Sequence, residues 1–132
     1  MARISFEPTL PLIVLPITIS DVNADIFRDV IVALDTGATI TIIPTEIAVA
    51  LGYDPANSNR QMQLLTASGT AATKLITVRK LTVAGETIED VDVLCHDLPG
   101  NSGIKGLLGL NFLKHFELNI SFSTGIIELD PC

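Results

Sequence analysis

Short runs of aliphatic and β-branched residues alternate along this chain with clusters of Asp, Asn, Ser, Gly and Pro, at intervals of eight to twelve residues. That is the pattern of strands joined by turns. Leu12 to Ser20 and Phe27 to Leu34 are predicted to pair as a hairpin about the polar turn Asp21 to Ala24. Ile40 to Ile43 reads as a further short strand, after which Pro44 opens a helical turn through Leu51 that Gly52 ends. Beyond the loop Tyr53 to Asn59, Gln61 to Thr66 and Thr70 to Val83 are predicted to pair around Ala67-Ser68-Gly69, which gives a long hairpin with an exposed tip. Ala84-Gly85-Glu86 turns the chain into Ile88 to Leu94, where apolar and acidic residues alternate as on a half-buried strand. His96 to Gly103 follows as a loop, then a second helix over Leu110 to Phe116. A last pair of strands, Leu118 to Phe122 and Ile126 to Leu129, is turned by Ser123-Thr124-Gly125. The expected fold class is all-β, a closed barrel or sandwich with one or two short helices.

Composition narrows this picture. At 132 residues and 14.1 kDa the expectation is one domain over residues 1–132, large enough to build a core without disulfides or a metal. Aromatic residues are 5% of the chain, so that core must be aliphatic. An apolar fraction of 48% and a mean hydropathy of +0.50 are high for a soluble monomer and point to a partner-facing surface. Eight basic against fifteen acidic residues leave a net charge of −7, which disfavours nucleic acid. Two cysteines, Cys95 and Cys132, make no disulfide framework, so a reducing, cytoplasmic setting is expected. The apolar run Leu10 to Ile19 is interrupted by Pro11 and Pro16 and is about half a membrane span, and no export signal is read at the N-terminus.

Chemistry enters at Ile31-Val32-Ala33-Leu34-Asp35-Thr36-Gly37-Ala38-Thr39-Ile40-Thr41-Ile42-Ile43, where one acid stands between an apolar strand and a glycine. On its own the tripeptide could be a turn. A second segment, Gly106-Leu107-Leu108-Gly109-Leu110-Asn111-Phe112-Leu113, lies downstream, and Leu65-Thr66-Ala67-Ser68-Gly69-Thr70 lies between the two as a hairpin tip. In that order these segments resemble the retropepsin-like aspartic proteases, over about Leu12 to Leu129. The resemblance implies a single-lobed acid-protease fold and a peptidase whose catalytic residues are Asp35, Thr36 and Gly37. It also implies that Ala38, the flap residues Leu65, Ala67, Ser68 and Gly69, and the walls Ile104, Leu107 and Leu108 bind an extended peptide with hydrophobic side chains. No cofactor and no metal are expected.

Such chemistry needs two carboxylates sharing a proton, one ionised to take a proton from water and one protonated to polarise the scissile carbonyl. A second D-T-G or D-S-G is absent, since Asp97 is followed by Leu-Pro and Asp130 by Pro-Cys. The expected solution is a homodimer with Asp35 of each copy on the twofold axis, where the resemblance has the Thr36 hydroxyls interlock. Ala38 offers the carboxylate no hydroxyl donor, so the dyad is expected to work at less acidic pH than members carrying Ser or Thr there. The viral members have an Asp where this chain has Thr39 and an Arg where it has Leu110, whereas Asn111 matches them. The pattern therefore looks like a cellular, prokaryotic branch.

Other readings are weaker. Asp21-Val22-Asn23-Ala24-Asp25 imitates half of a calcium loop but has Ile26 and Val32 at the places of the Gly and the bidentate Glu. Cys95-His96 lacks a second ligand pair, and His115 reads as a surface or capping residue. The run Glu86, Glu89, Asp90, Asp92 and Asp97 reads as a solvated strand face. A retaining glycosidase would need two carboxylates with distinct roles. The rival from another class is a non-catalytic module that dimerises or holds an extended peptide by strand addition in the same cleft.

Overall fold

The computed structural model describes residues 2–66 and 68–132. Ten strands are present among them: β1 (Ala2–Ser5), β2 (Val14–Ser20), β3 (Phe27–Leu34), β4 (Thr41–Ile43), β5 (Gln61–Thr66), β6 (Gly69–Val83), β7 (Glu86–Cys95), β8 (Gly106–Leu108), β9 (Phe116–Ser121) and β10 (Ile126–Pro131). Two short helices, α1 (Thr45–Ala50) and α2 (Leu110–Leu113), and a single 3-10 turn at Pro55–Asn57 complete the order. The mostly-β expectation holds.

The larger sheet runs β2-β3-β8-β4-β7-β6-β5, and β2 also pairs with β6, so six strands close into a barrel while β5 stays outside the ring. Closure is made at Thr18↔Thr82 and Ile19↔Leu81. The chain's one tyrosine fastens this seam: Tyr53 donates its hydroxyl proton to the Ser20 carbonyl at 2.8 Å and accepts the Arg79 N–H at 3.0 Å. Asp90, opposite Arg79, takes a left-handed φ of 55°, and the β6–β7 ladder is interrupted at that pair. The interior is aliphatic, as a chain poor in aromatics requires, with Leu15, Ile17, Ile19, Val32, Val78 and Leu81 among its fully buried members. The remaining three strands form a separate sheet in the order β1-β10-β9, and Ala2, Leu129 and Phe116 carry it onto the same core.

The β2–β3 turn explains the acids that imitate a calcium loop. Asp21 accepts the backbone N–H groups of Asp25 at 2.9 Å and Ile26 at 3.2 Å, which lowers its pKa below the ordinary carboxylate value. The carboxylate is spent on the turn.

Three elements depart from expectation. The strands β1 and β8 are additional; β8 is only three residues long and is a strand because β3 and β4 flank it, not because of its own composition. The second helix ends at Leu113 instead of Phe116. Phe116 is drawn into the β9–β10 ladder opposite Pro131 and stacks its ring 5.1 Å from that of Phe112, so burial overrides the helical periodicity. No helix among the described residues is long and apolar enough to cross a membrane.

Candidate active site

The strands β3 and β8 run parallel, with Leu34 beside Leu108 at their ends. Asp35 is the first residue after β3, and its N–H donates to the Leu108 carbonyl at 3.0 Å. The chain then turns sharply: the Ala38 N–H donates to the Asp35 carbonyl at 3.1 Å, and the Gly37 N–H donates to Asp35 Oδ1 at 2.8 Å. A Cβ at residue 37 would stand 3.1 Å from that same oxygen, so glycine keeps the carboxylate uncrowded.

The second glycine-rich segment clasps this loop from behind. Leu110 N–H donates to the Ala38 carbonyl at 2.8 Å and Asn111 N–H to the Thr39 carbonyl at 3.1 Å, so the first turn of α2 spends its free donors on the Asp35 loop. The fit leaves no room: a Cβ at residue 109 would lie 2.8 Å from the Ala38 oxygen and 2.9 Å from the Thr41 nitrogen, and one at residue 106 would overlap the Ile42 carbonyl. Thr41, fully buried, accepts the Gly109 N–H at 3.0 Å and donates its hydroxyl to Asn111 Oδ1 at 3.0 Å, while its own N–H reaches the same oxygen at 2.9 Å. Asn111 Nδ2 then donates to the Asp92 carbonyl at 2.6 Å. These bonds hold the two motifs as one unit.

Asp35 is half-buried at one end of a cleft of about 450 Å³. Its floor is Gly37, Ala38 and Thr39, its wall Ile40, Ile42, Leu94 and Leu107, and its roof the β5 residues Met62 to Leu65. A second cleft of about 510 Å³ shares Ile42, Leu64, Leu65 and Leu107 with the first and extends past Ser68 and Ala71 to the segment His96 to Pro99. Together they make an apolar groove that passes beneath the β5–β6 hairpin. Leu65, 81% exposed, offers an apolar side chain there with nothing to cover it.

Of the residues expected to bind a peptide, Ala38, Leu65 and Leu107 line the first cleft beside Asp35 and Gly37, and Ser68 lines the second. Gly69 begins β6 at the hairpin tip with φ of 121°, which suits glycine. Thr36 is exposed and lines neither cleft. Ala67 lies outside the described residues. Two wall assignments are corrected: Leu108 points into the barrel core, fully buried, and Ile104 is buried and lines neither cleft. Neighbours on a strand face opposite ways, so Leu107 could reach the groove only if Leu108 did not. Ile40, Ile42, Leu94, Met62 and Leu64 take up the wall and roof instead. The pairing of Ile42 with Leu107 across β4 and β8 puts the first of these on the groove, and no local signal in the sequence marks it.

The acidic run is less uniform than a solvated face. Asp92 pairs with Arg60 at 2.7 Å, and Asp97 accepts the Thr45 N–H at 3.1 Å at the start of α1. Cys95 is buried, which together with the nearby Asp97 charge pushes its thiol up to about 11, unfit for nucleophilic or metal chemistry at neutral pH. Among the described residues no group of three or more His, Cys, Asp or Glu could hold a metal ion.

The family model described as "gag-polyprotein putative aspartyl protease" matches residues 21–115. A crystal structure of a retropepsin-like aspartic protease from Rickettsia conorii superposes with a TM-score of 0.70 at 21% identity, covering 96% of this chain and 87% of that one. EIAV protease complexed with the inhibitor HBY-793 superposes with a TM-score of 0.56 at 22% identity, over 80% of this chain and 88% of that one. At such identities the likeness is one of fold. No curated protein sequence matches the chain.

Proposed function

This chain belongs to the gag-polyprotein aspartyl protease family, and from that premise we propose that it is an aspartic endopeptidase working as a homodimer, as one domain over residues 1–132. The observation that carries the proposal is that Asp35 is the one acid among the described residues lining the first cleft, and that Thr36 and Gly37 beside it open to solvent. A second copy would bring its own Asp35 across a twofold axis, with the two Thr36 side chains meeting beneath the pair.

In that dimer one carboxylate is ionised and one protonated, since like charges so close do not both ionise. The ionised Asp35 takes a proton from a water molecule as its oxygen bonds to the scissile carbonyl carbon. The protonated Asp35 of the other copy donates to the carbonyl oxygen, giving a neutral gem-diol. As the C–N bond breaks, the carboxylate that took the water's proton donates it to the leaving amine and one diol hydroxyl gives its proton to the other carboxylate, so the acid product keeps the second hydroxyl and the dyad again holds one proton. The Gly37 N–H donates to Asp35 Oδ1 and holds the orientation of the carboxylate. The substrate is an extended polypeptide with hydrophobic side chains in the groove, covered by the β5–β6 hairpin as a flap, and the setting is cytoplasmic.

The test is digestion of a peptide library between pH 4 and 7 over a range of protein concentration, with Asp35→Asn alongside. Expected are cleavage between hydrophobic residues, specific activity that falls as the dimer dissociates on dilution, and complete loss in the variant with the dimer retained. If the variant keeps every activity of the parent, including peptide binding, the protein is a binding module instead.

A further inference from the structure

The roof of the groove has a structural peculiarity. The strand β6 pairs with β7 only from Lys74 onward, opposite Cys95, so the part of the hairpin nearer its tip is a two-stranded ribbon held by its own ladder. Such a ribbon is marginally stable alone. Its direction over Asp35 must be set at the root.

At that root stands Arg60, the residue before β5. Its carbonyl accepts the Leu75 N–H at 3.0 Å, tying it to β6. Its guanidinium reaches farther: one nitrogen donates to Thr77 Oγ1 on β6 at 3.0 Å, the other to Asp92 Oδ2 on β7 at 2.7 Å. Thr77 donates its hydroxyl to the remaining oxygen, Asp92 Oδ1, at 2.7 Å. Both carboxylate oxygens and three successive segments are thus joined in one closed set of bonds. The backbone carbonyl of this same Asp92 accepts Asn111 Nδ2, and Asn111 holds Thr41 and, through its backbone, the Asp35 loop.

We propose that Arg60, Thr77 and Asp92 are positioning residues that fix the pitch of the β5–β6 hairpin relative to Asp35, and so the height of the groove a substrate enters. The kinetic part of the proposal rests on the protease reading; the structural part does not. An exposed ion pair by itself adds little. Here the pair is one edge of a network with a planar, two-handed donor, which resists rotation in a way a single contact does not. Because Met62 to Leu65 roof the first cleft, a tilt at residue 60 moves every one of them.

The experiment compares Arg60→Met, Asp92→Asn and Thr77→Val with the parent by hydrogen exchange, the last variant keeping a β-branched shape and removing only the hydroxyl. Amides of residues 61–73 are expected to exchange about tenfold faster, with β2 and β3 unchanged, and Arg60→Met/Asp92→Asn to be no faster than either single change. Arg60→Lys, which keeps the charge without the fork, should fall between. Unchanged exchange in the hairpin, or acceleration spread evenly over the barrel, overturns the proposal whether or not the protein cleaves peptides. Where cleavage is measurable, KM should rise about fivefold with kcat within twofold; a fall in kcat at constant KM also overturns it.

Discussion

The floor of the groove and its roof lie on opposite sides of the same cleft and are held in different ways. Beneath Asp35, residues 35–41 and 106–111 are bound to each other by backbone donors, by the buried Thr41 and Asn111 side chains, and by glycines with no space for a Cβ. Above it, strand β5 and the part of β6 before Lys74 are laddered to each other, present Leu65 to solvent, and keep a buried hydroxyl, Thr73 Oγ1, without a partner among the described residues. The contrast suits the chemistry. A proton shared between carboxylates depends on distances held to a fraction of an ångström, whereas a polypeptide can enter beneath a roof only if the roof yields. Local stability is distributed to match.

Breaking the floor should therefore have the larger effects. Gly109→Ala drives a Cβ into the Ala38 oxygen and the Thr41 nitrogen, backbone atoms that cannot step aside. A loss of roughly 3 kcal/mol or more is expected by chemical denaturation; a loss under about 1 kcal/mol would mean that the two motifs are not pressed together as described. Asn111→Ala leaves the Thr41 N–H and hydroxyl facing an unfilled space, and an unpaired buried donor costs about 2 kcal/mol. Asn111→Asp keeps the acceptor for Thr41 and should recover part of that stability at neutral pH.

The roof should tolerate change or gain from it. Thr73→Val removes a buried hydroxyl that has no partner while keeping its shape, and should stabilise the protein by about 1 kcal/mol. A neutral or destabilising result would show that the hydroxyl is satisfied in solution. Leu65→Ser should alter the free energy of unfolding by no more than about 0.5 kcal/mol, because that side chain is already in water. The same change should weaken binding of a hydrophobic peptide, and a variant that unfolds readily would place Leu65 in the core.

How legible each region is in the sequence follows from this difference. The hairpin is visible because its strands are adjacent and its turn is local, and Asp35 is visible because a lone acid after an apolar strand is conspicuous. The floor and the hairpin root are assembled from residues far apart: Thr41 and Asn111 are separated by 70 positions, Arg60 and Asp92 by 32. Nothing in either neighbourhood announces its partner. The strand β8 illustrates the same limit, since Gly106-Leu107-Leu108 has neither the length nor the composition of a strand and becomes one through β3 and β4. Alternation within it was available from the residues alone, and it separates Leu107 on the groove from Leu108 in the core.

The smallest effect expected is a titration of the hairpin root. Arg60 lies against Asp92 and, with the Thr77 hydroxyl, holds that carboxyl below its ordinary pKa despite partial burial, which acts the other way. Glu89 and Asp90 on the same strand and His115 beyond α2 line the small cleft beside it. A depressed folded pKa means that the folded state binds the proton less tightly than the unfolded chain. The stabilisation is therefore complete above the unfolded carboxylate value of about 3.9 and is lost as pH falls through the lower folded value. The chain has two methionines, so a 13C-methyl label gives a simple spectrum in which Met62, on the roof, reports hairpin position. Its resonance should be constant from pH 7 to about 4 and shift below that, through a transition that Asp92→Asn abolishes. Asp35 faces the same cleft in both proteins, so the difference between them isolates Asp92. A transition unaltered in the variant would assign the shift to the floor and leave the hairpin root without a role in setting the roof.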